Sequence, residues 1–119
     1  MKYFSYDTDP LLSCPCCGDR GMIDSFLDDL SALRHDFGRP MIVSSGYRCR
    51  RYNESKGYTQ THATGKAVDI KITNPNAHEL TRLAFKHGFK GIGWQQKGPR
   101  DKRFIHLDKA RTTPVIWSY

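Results

Sequence analysis

Between Ile23 and His35 the apolar residues Ile23, Phe26, Leu27, Leu30 and Leu33 recur at intervals of three and four. That is the period of one face of an α-helix, and Gly38 and Pro40 stop it. Met41 to Ser44 is a short β-prone run that ends in the turn-forming Ser45-Gly46-Tyr47-Arg48. From Cys49 to Gln60 the chain is polar, carries Gly57 and keeps no sustained period, which predicts an exposed loop. The pattern then switches to strict alternation: Val68, Ile70 and Ile72 fall on one side of a strand, and Ala67, Asp69 and Lys71 on the other. Asn74-Pro75 has the form of a helix N-cap followed by proline at the first helical position. Leu80, Leu83 and Ala84 supply that helix with an apolar stripe before Gly88 ends it. Phe89 to Trp94 predicts a glycine-flanked strand, and Phe104 to Asp108 alternates again, so Phe104, His106 and Asp108 share a face. The reading is a small α+β domain, with flanking helices packed on an antiparallel or mixed sheet.

The chain has 119 residues, enough for one core, and residues 1–119 are expected to form a single domain. No stretch approaches the run of about 20 apolar residues that spans a bilayer, so no membrane insertion is expected. Met1 to Asp9 alternates polar and aromatic positions and lacks the pattern of a secretory signal. The formal net charge of +7 favours a polyanionic partner, although Lys and Arg are spread from Arg20 to Arg111 without a dominant run. Cys14, Cys16 and Cys17 crowd near the N-terminus, with Cys49 far from them. A bridge between the adjacent Cys16 and Cys17 would be strained. Other disulfide pairings, or a structural zinc site of the knuckle kind, are the readings left open; no His or Asn stands beside these residues to suggest a catalytic thiol.

The segment His62-Ala63-Thr64-Gly65-Lys66-Ala67-Val68-Asp69 places an imidazole and a carboxylate across a turn that leads into a strand. Both are good zinc ligands, and Gly65 lets the backbone bend between them. A catalytic zinc site commonly uses three protein ligands and leaves a fourth position open; His106, on the polar face of a separate strand, completes such a set. His35 and His87 fall near helix C-termini and His78 opens a helix, positions that suit structural roles.

These residues resemble the zinc peptidoglycan peptidases of the M15 type, which include D-Ala-D-Ala carboxypeptidases and phage L-alanyl-D-glutamate endopeptidases. The resemblance runs from about Ser44 to Trp117. It rests on Ser45-Gly46-Tyr47-Arg48, Asn53, His62-x-x-Gly65-x-Ala67-x-Asp69, Gly91-Ile92-Gly93 and Phe104-Ile105-His106-Leu107-Asp108. It implies a central antiparallel sheet carrying one catalytic Zn2+ on His62, Asp69 and His106, with Arg48 contacting substrate or the developing oxyanion. This chain has Gln60 where many members carry serine, and Arg103 where many carry a glutamate. Some short members instead show the His-x-Asp ending seen here, and that resemblance implies Asp108, on the same strand face as His106, as the candidate acid/base group, with Asp101 second; orienting His106 is the alternative role for Asp108.

The expected activity is hydrolysis of a peptide bond in the peptidoglycan stem peptide, leaning to an endolysin-like L-Ala-D-Glu endopeptidase. A D-Ala-D-Ala carboxypeptidase and a non-catalytic zinc or wall-binding module are the alternatives. Nucleic-acid binding through the Cys-rich segment and the net charge is a third reading, which predicts a steep salt dependence of affinity; no nucleic-acid partner is expected. The chain is expected to act as a monomer in the periplasm or cell wall, released by a holin-like or other non-classical route.

Overall fold

The computed structural model describes residues 3–119; Met1 and Lys2, at the start of the stretch read for a signal, lie outside the described residues. The helical period after Ile23 is realised as α1, Asp24–Phe37, closed by Gly38 at φ 72°. The strand β1, Ile42–Ser45, follows at once. The segment read as an exposed loop instead contains a helix, α2, Arg50–Lys56. Its ends explain it: the Cys49 sulfur accepts from the Tyr52 amide at the front, and Gly57 adopts φ 71° at the back. Asn53 alone is buried within it, so the helix shows no apolar period.

β2 spans Ala67–Lys71 and α3 spans Asn76–Lys86. The expected cap at Asn74 is not formed: Pro75 precedes the first helical residue, and no side chain caps the helix. β3, Gly91–Gln95, begins two residues later than the glycine-flanked strand expected from Phe89, and β4, Phe104–Asp108, coincides with the alternating segment. A fifth strand, β5, Val115–Ser118, was not foreseen; two of its residues, Val115 and Ile116, are exposed apolar side chains rather than an alternating pair.

The strands form one sheet in the order β1-β2-β4-β3-β5. Three neighbouring pairs are antiparallel and β3 with β5 is parallel, so the sheet is mixed rather than wholly antiparallel. Val68, Ile70, Ile92, Ile105 and Leu107 join Phe26, Leu27, Leu30 and Leu33 of α1 and Leu80 and Leu83 of α3 in one buried core. Each such side chain contributes roughly 1.5–3 kcal/mol by leaving water. The opposite side chains of β2 and β4, Asp69 and His106, are thereby committed to the other face. No helix among the described residues is long and apolar enough to cross a membrane.

Candidate metal centre

The register of the sheet places Asp69 of β2 directly opposite His106 of β4, and His106 opposite Gly93 of β3, which in turn faces Trp117 of β5. One row across the sheet therefore reads Asp69, His106, Gly93, Trp117. A Cβ at position 93 would lie 2.6 Å from the Trp117 ring, so glycine is what lets the indole settle over the sheet beside His106. The indole and imidazole centroids are 5.2 Å apart.

His62 reaches the same point from a turn of 3-10 helix, Thr61–Thr64. Gly65 ends that turn at φ 75°, and a Cβ there would stand 2.2 Å from the carbonyl oxygen of Gly21. The backbone thus turns sharply from His62 into β2, with the amide of Ile23 donating to the Gly65 carbonyl at 2.9 Å. His62 and His106 are each 3% exposed, so their ring orientations are fixed by the protein rather than by solvent.

The three donor atoms form a near-equilateral triangle. His62 Nε2 lies 3.2 Å from His106 Nδ1 and 3.4 Å from Asp69 Oδ1, and His106 Nδ1 lies 3.1 Å from Asp69 Oδ1. Tetrahedral zinc with nitrogen and oxygen ligands separates its donor atoms by about 3.3–3.5 Å. The outward nitrogens settle the tautomers. His62 Nδ1 is 2.8 Å from the Gly46 carbonyl, and His106 Nε2 is 2.7 Å from Asp108 Oδ2. Both partners accept only, so both outward nitrogens carry protons and both inner nitrogens offer lone pairs. Three lone pairs aimed at one point fit a shared cation. His62, Asp69 and His106 are thus a donor set that could hold a metal ion.

The electrostatics agree. Burial pushes the Asp69 carboxyl up, but the hydrogen bonds and charge of His106 and His62 outweigh it and hold the group well below the usual carboxylate range. Burial likewise opposes charge on His106, yet Asp108 and Asp69 raise its pKa. Asp108 is fully buried, and its pKa is lowered because His106 and Arg111 outweigh desolvation. Its Oδ2 accepts from both His106 Nε2 and, at 3.0 Å, Arg111 Nε. Room for this carboxylate comes from Gly91, opposite Asp108 in β3, where a Cβ would meet Oδ2 at 2.0 Å.

The triangle opens into a cavity of about 550 Å³ lined by Arg48, Tyr58, Asp69, Arg111, Trp117 and Tyr119, among others. Arg48 is half-buried, its guanidinium 5.0 Å from the Tyr58 ring centroid, and its buried Nε has no hydrogen-bond partner. Asn53 steadies the Arg48 turn by donating from Nδ2 to the Arg48 carbonyl and to Gln60 Oε1. Gln60 thereby serves as a partner for Asn53. Among the described residues lining the cavity, Asp69 alone carries a side-chain carboxylate. Asp108 stands behind His106, and Asp101 is exposed on a separate 3-10 turn, Arg100–Lys102. Trp117, Tyr119 and Arg111 were not picked out from the sequence as site residues; the Gly91-x-Gly93 pair is the signal that could have announced large side chains packed over β3. The remaining histidines lie elsewhere: His35 bonds Tyr3, His87 pairs with Asp36, and His78 packs edge-on against Trp94.

A mixed sheet that brings a His-Asp-His set to the floor of a basic, aromatic-rimmed cleft is the frame of a metallohydrolase. Residues 4–108 match the family described as Peptidase M15, and the chain belongs to that family. It is therefore a peptidase by family, and β5 lies beyond the matched stretch. No curated protein matches the chain.

Proposed function

We propose that this protein is a zinc peptidase that cleaves the stem peptide of peptidoglycan, with His62, Asp69 and His106 holding one zinc ion. The observation that carries the reading is the triangle of donor atoms, 3.1–3.4 Å on each side, facing an open cavity. Bound zinc supplies Lewis-acid polarisation of a peptide carbonyl and activation of water at neutral pH. The rest falls to the chain. Arg48 offers a guanidinium with an unpartnered donor, suited to a substrate carboxylate or to negative charge developing on the carbonyl oxygen. Tyr119 keeps its proton, because burial and the nearby Asp69 charge raise its pKa, so its hydroxyl can donate a hydrogen bond to substrate. Trp117 and Tyr58 give the cleft apolar walls for the short side chains of a stem peptide.

For Asp108 the placement supports the orienting role: full burial and three hydrogen bonds leave it acting through His106, on the side away from the cavity. The preferred bond is that between L-Ala and D-Glu, with the two guanidinium groups of Arg48 and Arg111 suited to the acidic residue after the cut. Digestion of purified sacculi with zinc-loaded protein, followed by mass spectrometry of the fragments, tests this. New L-Ala carboxyl ends support the endopeptidase, whereas loss of one terminal D-Ala identifies a carboxypeptidase. The lack of a second side-chain carboxylate among the described cavity residues favours one further reading, a wall-binding module that holds zinc without cleaving. Zinc-dependent sacculus binding with no fragments released would establish it.

A further inference from the structure

Four sulfur atoms gather some distance along the sequence from the His62 centre, and no part of the proposed peptidase chemistry uses them. Cys14, Cys16, Cys17 and Cys49 are all free thiols, and their Sγ atoms lie within 4.8 Å of one another. We propose that these four residues form a second, structural zinc site, a closed tetrathiolate clasp that ties the N-terminal segment to the turn carrying Arg48.

The geometry suits zinc better than disulfides. Cys16 Sγ sits 3.5 Å from Cys14 Sγ and 3.4 Å from Cys49 Sγ, equidistant from two candidate partners and committed to neither. Tetrahedral zinc with Zn–S bonds of about 2.3 Å separates its sulfurs by about 3.8 Å, within the spread of this cluster. A disulfide framework joins sulfurs two by two and would leave the central one to choose. Two of the sulfurs also accept backbone N–H bonds, an arrangement that suits thiolate ligands. The Cys49 amide donates to Cys14 Sγ at 3.3 Å, and the Tyr52 amide donates to Cys49 Sγ at 3.4 Å. Cys14, Cys16 and Cys17 all lie within one tight turn, closed where the Gly18 amide donates to the Cys14 carbonyl at 2.8 Å. Arg48, Arg50 and Arg51 flank Cys49 in sequence and offset the net charge of −2 that zinc with four thiolates carries.

The fold gives such a clasp a task. Residues 3–22 hold one short 3-10 turn and no strand, so little regular structure anchors them. They nevertheless buttress the catalytic turn, with the Gly46 and Tyr47 amides donating to the carbonyls of Leu11 and Leu12. Gly46 is the residue whose carbonyl orients His62. Metal held by Cys14 and Cys49 converts binding free energy into order in this segment and fixes Arg48, one residue before the last ligand.

Metal analysis of the full chain, purified under reducing conditions with zinc, tests the clasp separately from the His62 centre. Wild type is expected to retain two zinc ions per chain. His62→Ala/Asp69→Ala should retain one, and Cys16→Ser/Cys49→Ser should retain one. Cobalt exchanged into wild type and into His62→Ala/Asp69→Ala should show the near-ultraviolet thiolate-to-cobalt charge-transfer band, and the cysteine variant should not. Should the cysteine variant fail to fold, the cobalt spectrum of His62→Ala/Asp69→Ala decides alone. The clasp is overturned if that variant binds no metal and lacks the band, or if the non-reduced wild-type chain is lighter by two or four hydrogens, the mark of disulfides. Failure of the peptidase reading would leave the cysteine-bound zinc in place.

Discussion

Asp108→Asn separates two roles that one carboxylate could play. The substitution keeps the volume of the side chain in a site with no free space, since Gly91 is already the smallest residue that fits against it. It removes the negative charge that both holds the proton on His106 Nε2 and meets Arg111. Arg111 has 36% of its side chain exposed, so water can replace its lost partner at little cost. His106 is 96% enclosed, so the loss there falls on the imidazole and on the direction of its Nδ1 lone pair. Removing the hydrogen-bond partner of a metal-ligating imidazole weakens metal binding by about 10–100-fold, equivalent to roughly 1.4–2.7 kcal/mol. Competition between the protein and a chromophoric chelator measures that affinity directly, and fragment release from sacculi measures turnover. The expectation is weaker zinc binding, with most of the turnover restored at saturating zinc. Unchanged zinc affinity, together with turnover about 10²–10⁴ lower that excess zinc does not rescue, would show that Asp108 transfers protons itself and would refute the orienting role.

Gly65→Ala places a Cβ against the Gly21 carbonyl at a backbone angle few L-residues adopt, and a strain of about 1–3 kcal/mol should lower Tm by roughly 5–15 °C in a circular dichroism melt. Leu30→Ala, at a fully buried position on α1, should cost about 2–5 kcal/mol in urea unfolding without altering zinc stoichiometry at the His62 centre. Because Asp108 and Asp69 raise the His106 pKa, the metal must displace a proton that the free site holds more firmly than an ordinary histidine does. Zinc affinity should therefore fall on acidification by about tenfold per pH unit for each proton displaced, and a flat profile in titrations from about pH 8 to 5 would contradict the ligand assignment. Trp117→Ala should raise KM for muropeptides while leaving zinc affinity within about threefold of wild type, read by the same titration.

Much of the candidate metal centre was legible because strand alternation is a strict rule. Once Val68 and Ile70 commit β2 to the core, Asp69 must face the other way, and Ile105 and Leu107 impose the same on His106. What alternation cannot give is register, and it is register that sets Asp69 opposite His106 rather than one residue pair away. α2 escaped because its stability lies in two ends and one buried asparagine, not in a stripe. β5 escaped because it is bound through its backbone at the edge of the sheet, with Val115 and Ile116 left exposed. The role of Asp108 was out of reach for a different reason: both candidate roles need the same residue beside His106, and they differ in whether its carboxylate reaches into the cavity or bonds the outward imidazole nitrogen behind it.

The separation of ligands from cleft walls carries an evolutionary consequence. The candidate metal-binding side chains come from β2, β4 and the turn before β2, whereas Trp117 and Tyr119 at the opening come from β5 and the residue after it, hung on one neighbour by parallel pairing. A few exchanges in that border strand can remould what fits into the cleft while the His62, Asp69 and His106 donor set stays untouched.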